Sequence, residues 1–131
     1  MAKRILIIDD DHDFSDACAN LLEASGYESG YENEETKAMR KIQDFKPDLI
    51  ILDVVMKSET SGFKAAGDIY ADEKLKGIPI LFLTGYFKKA ALMDKEKELI
   101  KKWPNVKGVL GKPVKPAVLL SSINKVLKGE V

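Results

Sequence analysis

The sequence is poor in the residues that build crosslinks and soft-metal sites. Cys18 is its only cysteine, so no internal disulfide can form, which agrees with a reducing compartment. One histidine, His12, leaves no His/Cys cluster for zinc, and no twelve-residue EF-hand loop is present for calcium. Nor is there an excess of either charge: 21 Lys and Arg balance 21 Asp and Glu. A protein that grips nucleic acid through its phosphates normally carries a basic surplus, so DNA binding by this chain alone is disfavoured. Long apolar runs are missing too. Ile5 to Ile8 follows a short basic start but stops at three aspartates, too soon for a signal peptide or a membrane span. A cytoplasmic protein is the expectation. No repeat, low-complexity tract or Pro/Gly/Ser linker divides the chain.

What remains is an ordinary apolar share, 45% of 131 residues, enough for one domain with its own core. Ile5-Leu6-Ile7-Ile8, Leu49-Ile50-Ile51-Leu52 and Ile80-Leu81-Phe82-Leu83 are short runs of strand formers, suited to strands covered on both faces. Val106 to Leu110 is a weaker strand, and Tyr27 to Tyr31 a fifth with Gly30 inside it. Helical spacing fills the intervals. Phe14, Ala17, Cys18, Leu21 and Leu22 recur at three and four residues, with Gly26 as a stop. Asn33 is placed to cap a helix carrying Ala38, Met39, Ile42 and Phe45. Gly62 to Lys74, Lys88 to Trp103, and a stretch from Pro116 with Leu119, Leu120, Ile123 and Leu127 complete the set. Strands alternating with helices predict an α/β fold, a parallel sheet with helices on both faces. The expectation is one domain over residues 1–131, with no room for an output domain.

Chemistry collects at the ends of the apolar strands. Asp9, Asp10 and Asp11 follow the first, Asp53 ends the run from Leu49, Thr84 follows Leu83, and Lys112 comes after the last. Open α/β sheets bind ligands outside the carboxyl ends of their strands, where strand order reverses. In the order 2-1-3-4-5 that crevice lies between the first and third strands, so Asp9, Asp10 and Asp53 would meet there, flanked by Thr84 and Lys112. Carboxylates forced together repel, and a divalent cation resolves the repulsion. Hard oxygen ligands with waters retained suit magnesium better than zinc, and magnesium with open positions typically meets a phosphate. Lys112 and Thr84 are natural partners for phosphoryl oxygens.

The set Ile8-Asp9-Asp10-Asp11, Leu52-Asp53, Leu83-Thr84-Gly85 and Lys112-Pro113 resembles the receiver domain of two-component response regulators, of the chemotaxis-regulator type. The resemblance covers essentially the whole chain. Each dipeptide is common, but four in order at compatible spacings are specific. It implies a flavodoxin-like, doubly wound (βα)5 three-layer sandwich. It also implies that Asp53 accepts a phosphoryl group from a sensor histidine kinase or phosphotransfer protein. Asp10 would bind magnesium directly, Asp9 directly or through water, and the backbone carbonyl of Val55 would add a ligand. Lys112 would pair with the Asp53 carboxylate and then with the phosphoryl group, and Thr84 would swing in to bond it. The protein would be a stand-alone regulator, monomer or weak dimer, signalling to a partner protein and not an enzyme beyond its own phosphotransfer and autodephosphorylation.

Four positions depart from that family's pattern. Lys57 stands where proline is usual, and Gly62 comes one place late, which lengthens the loop after Asp53 by one residue. Val109 replaces the aromatic residue three places before the lysine, removing a rotating ring from the readout. The interval from Thr84 to Lys112 is several residues longer than usual, which predicts a lengthened fourth helix. Other residues read as structural. Asp11 is a helix cap, His12 has no assigned role, and Cys18 is core. The lysines at 88, 89, 95, 97, 101 and 102, mixed with Asp94, Glu96 and Glu98, form a solvated face, and Trp103 anchors the end of its helix.

Two rival functions fit part of the pattern. A haloacid-dehalogenase-like phosphatase would use Asp9-x-Asp11 with Asp9 as nucleophile, plus Thr84 and Lys112. Position 13 is Asp where Thr or Val is expected, however, and no acidic pair follows Lys112. A phosphorylation-independent adaptor is the other, favoured by Val109 and the altered loop. A flavin carrier is opposed by the acidic strand ends and by the lack of a hydroxyl-rich phosphate loop.

Overall fold

The computed structural model describes residues 2–54, 61–85 and 89–129, with the side chains of 61, 62, 89–93 and 95 outside the description. Its five strands are β1 (Arg4–Ile8), β2 (Glu28–Glu32), β3 (Leu49–Asp53), β4 (Ile80–Thr84) and β5 (Val106–Gly111). The helices are α1 (His12–Ala24), α2 (Ala38–Phe45), α3 (Ser61–Ala71), α4 (Lys89–Lys102) and α5 (Pro116–Leu127). All neighbouring strands run parallel, in the order β2-β1-β3-β4-β5. The fold expected from the alternating pattern is the fold observed.

The inner strands β1, β3 and β4 read as continuous apolar runs because both faces are covered. Side chains alternate across a strand. Leu6, Ile8, Ile50, Leu52, Ile80 and Phe82 therefore join Ala38 and Ile42 of α2, Ala66 and Ile69 of α3, and Leu99 of α4. Their alternates Ile5, Ile7, Leu49, Ile51, Leu81 and Leu83 meet Cys18 and Leu22 of α1 and Leu119 and Ile123 of α5. The result is three layers, with α1 and α5 on one face and α2, α3 and α4 on the other.

Several local expectations hold. The Asp11 carboxylate accepts from the Phe14 N–H at 3.1 Å and caps α1. Gly26, two residues past the end of α1, takes φ of +93°, which its missing side chain permits. Trp103 packs on Phe63 of α3, ring centroids 6.4 Å apart, and Phe63 meets Phe82 edge-on, so the end of α4 is fastened to the core. Other expectations need correction. Asn33 does not cap α2: a short 3-10 turn, Glu35–Lys37, intervenes, and the Asn33 amide turns inward. Glu96 is not a member of a solvated face. Its carboxylate accepts the N–H of Val109 at 3.1 Å, occupying a backbone donor on the outer edge of the sheet. Val109 itself is buried beside the cluster of α2, α3 and α4. Lys57 and the rest of 55–60 lie outside the described residues, as does Lys88.

Cys18 is buried among Ile5, Leu22 and their neighbours. Burial, with the nearby Asp9 charge and only partial relief from Lys112, pushes its thiol up to about 11. The native protein is therefore expected to resist iodoacetamide at pH 8 and to react promptly once unfolded, as read by mass spectrometry. Fast native labelling would show that the helix face is open.

Candidate functional site

The β1–β3 register places the acidic residues side by side. Ile8 is paired with Leu52, so Asp9, the next residue on one strand, comes level with Asp53 on the other. Asp10 follows at the turn into α1. Oxygen atoms of Asp9, Asp10 and Asp53 all lie within 4.8 Å of one another. Asp9 and Asp53 are buried and Asp10 is exposed, so the cluster has one open side. At such separations each like-charged pair costs on the order of 3–4 kcal/mol at an effective dielectric near 20. The backbone holds these groups together against that cost, through burial elsewhere in the sheet.

Lys112 reaches the same point from the loop after β5. Its Nζ lies 2.7 Å from Asp9 Oδ2 and 3.4 Å from Asp53 Oδ2, with the Phe14 ring centroid 4.6 Å away. Burial pulls the ammonium toward its neutral form, but the hydrogen bond and charge of Asp9, joined by Asp53, outweigh it and raise the pKa. Lys112 is thus firmly charged at neutral pH. Thr84 is fully buried at the end of β4, level with Gly111, and its carbonyl accepts the Lys112 N–H at 2.9 Å. The structure brings Asp9, Asp10, Asp53 and Lys112 into contact range and sets Thr84 on the adjoining strand end. Val55 lies outside the described residues.

Both oxygens of the Asp9 carboxylate have a partner. Oδ1 accepts the Asp11 N–H at 3.0 Å and Oδ2 takes Lys112, while Asp11 is spent as a cap. Asn33 and Ser15 also belong to this corner: the Asn33 amide donates to the Asp9 carbonyl at 2.7 Å and to Ser15 Oγ at 3.0 Å. Neither was singled out for the site from sequence. A buried serine opposite a loop asparagine becomes visible only when β1 and β2 are adjacent.

The donor set fits magnesium. It offers hard carboxylate oxygens on an open-sided cluster, with no nitrogen or sulfur ligand among the described candidates.

Known proteins share this fold. A sequence model described as "Response regulator receiver domain" matches residues 5–124. The phosphate regulon transcriptional regulatory protein PhoB of Pseudomonas aeruginosa is 39% identical over 84 residues, 64% of this chain and 36% of that protein. The DNA-binding dual master transcriptional regulator RpaA of Synechocystis is 37% identical over 81 residues, 62% of this chain and 33% of that protein. The chain thus spans only about a third of these relatives' length. Among solved structures, the chemotaxis protein CheY4 of Vibrio cholerae superposes with a TM-score of 0.81 at 28% identity, covering 96% of this chain and 99% of that one. A CheY-like receiver domain protein from Methanospirillum hungatei gives 0.81 at 25%, covering 98% and 96%.

Proposed function

This chain belongs to the response-regulator receiver family, and from that premise we propose that Asp53 is its phosphoryl acceptor. Receiver domains of two-component systems accept phosphate on aspartate and bind magnesium in an acidic pocket. The observation that carries the assignment is the meeting of three carboxylates within 4.8 Å beside a lysine that touches two of them. Asp10, Asp9, Asp53 and the Val55 carbonyl would hold the cation. When bound, magnesium supplies positive charge to the phosphoryl oxygens.

The chain's own residues do the rest. A carboxylate oxygen of Asp53 attacks the phosphorus of a phosphohistidine, forming the new P–O bond as the P–N bond to the donor breaks. Lys112 Nζ, already 3.4 Å from Asp53, follows the negative charge onto the phosphoryl group. Thr84, one residue beyond β4's Leu83, donates its hydroxyl to a phosphoryl oxygen and draws its loop inward. Water later hydrolyses the acyl phosphate, and no separate substrate is turned over. The donor is a sensor histidine kinase or phosphotransfer protein. The chain acts as one receiver unit, monomer or weak dimer, in the cytoplasm. Its output passes to another protein, with no direct contact to nucleic acid. No described helix is long and apolar enough to cross a membrane.

Acetyl phosphate provides the test. Incubated with magnesium, the protein is expected to gain one phosphoryl group, trapped at Asp53 by borohydride. Chelation of the metal should reduce labelling to background. Labelling at Asp9 would replace this reading with the phosphatase, and no labelling at all with the inert adaptor.

A further inference from the structure

The end of β1 is held by a network that the acidic cluster does not require for its own charge balance. Asn33, immediately after β2, directs both amide hydrogens inward, to the Asp9 carbonyl at 2.7 Å and to Ser15 Oγ at 3.0 Å. The orientation of the amide follows from its targets, since a carbonyl oxygen can only be met by a donor. Ser15, fully buried on α1, lies 3.5 Å from the same Asp9 carbonyl. The Asp9 N–H donates to the Glu32 carbonyl at 3.1 Å. Residue 9 is therefore tied on both sides to β2 and its exit.

The Asp9 carbonyl is part of the rigid peptide plane that joins Asp9 to Asp10. Fixing its direction fixes where Asp10 leaves the strand. Asp10 is the exposed carboxylate of the cluster and has no hydrogen bond of its own among those described to orient it. We infer that Asn33, seconded by Ser15, is a positioning residue for the cation pocket, setting the Asp9–Asp10 peptide so that both carboxylates converge on one ion. The inference rests on the reading of that pocket as a magnesium site. Groups behind the ligands of a metal site commonly change affinity tenfold or more when removed.

Magnesium titrations followed by the backbone amide signals of residues 10, 11 and 54 test it. Asn33→Ala is expected to raise the magnesium Kd about tenfold, and Ser15→Ala by a smaller factor in the same direction. At saturating magnesium, the Asn33→Ala rate of labelling by acetyl phosphate should return close to wild type, because Asp53 and Lys112 are untouched. Asn105→Ala is the control for mere destabilisation. It removes a buried amide that donates to the Ile78 carbonyl at 3.2 Å, at the opposite end of the sheet. It should lower Tm and leave the magnesium Kd unchanged. A folded Asn33→Ala protein with wild-type affinity overturns the inference. If Asn33→Ala does not fold, an unchanged Kd in Ser15→Ala overturns it equally. Absence of a magnesium response in wild type, or its persistence in Asp10→Asn, sinks the pocket reading itself and this inference with it.

Discussion

Asp53→Asn is expected to abolish phosphoryl labelling by acetyl phosphate while leaving the protein folded. The amide keeps the shape of the side chain but withdraws the nucleophilic oxygen. Lys112 retains its closer partner, Asp9, at 2.7 Å. One of three mutually repelling carboxylates is lost at the same time. In metal-free buffer the variant should therefore melt higher than wild type, because relief of two like-charge repulsions outweighs the loss of the single 3.4 Å contact with Lys112. Magnesium binding should weaken. Intact mass, thermal melts and a magnesium titration on one preparation read all three. Undiminished labelling of Asp53→Asn would place the acceptor elsewhere and remove the central assignment.

Lys112→Met should produce the second large effect, with opposite signs in two measurements. Its ammonium bridges two buried carboxylates with its side chain only 24% exposed. Removing one partner of a buried ion pair typically costs about 3–5 kcal/mol, and access to water on the Asp10 side trims this to roughly 2–3 kcal/mol. Urea unfolding without metal would register it, and added magnesium should restore part of the loss. Labelling should fall about 100-fold, the usual cost of deleting a preorganised charge donor. Magnesium affinity should rise, because a competing positive charge has gone. A generally damaged pocket would weaken both, whereas labelling at the wild-type rate would deny Lys112 its role. The sign with pH follows from the raised pKa of Lys112. The ion pair contributes fully below lysine's ordinary range and is lost only as pH climbs through the raised folded value. Near neutrality the pocket's lysine does not titrate.

Composition made the layering legible. Apolar runs of four or five residues interrupted by amphipathic stretches admit few solutions besides a covered parallel sheet. Asp9, Asp53, Thr84 and Lys112 were readable as a set because strand ends are marked in sequence by the abrupt change from apolar to polar residues. Asn33 was misread for a concrete reason. An asparagine before a helical pattern is a good cap by local propensity, and its actual partners, the Asp9 carbonyl and Ser15 Oγ, lie 24 and 18 residues away. Glu96 looked solvated for the same reason, its acceptor role depending on α4 lying along β5.

By itself, then, the chain's order of residues determined which elements form and which chemical groups stand at their ends, because both are written in short-range pattern. Only the tertiary structure decided which ends meet and how closely. Those facts depend on register across strands distant in sequence: Ile8 beside Leu52 brings Asp9 and Asp53 together, and Lys112 arrives 103 residues after its partner Asp9. Hydrogen bonds and charge energies change steeply over single ångströms, and no local pattern carries distances of that kind.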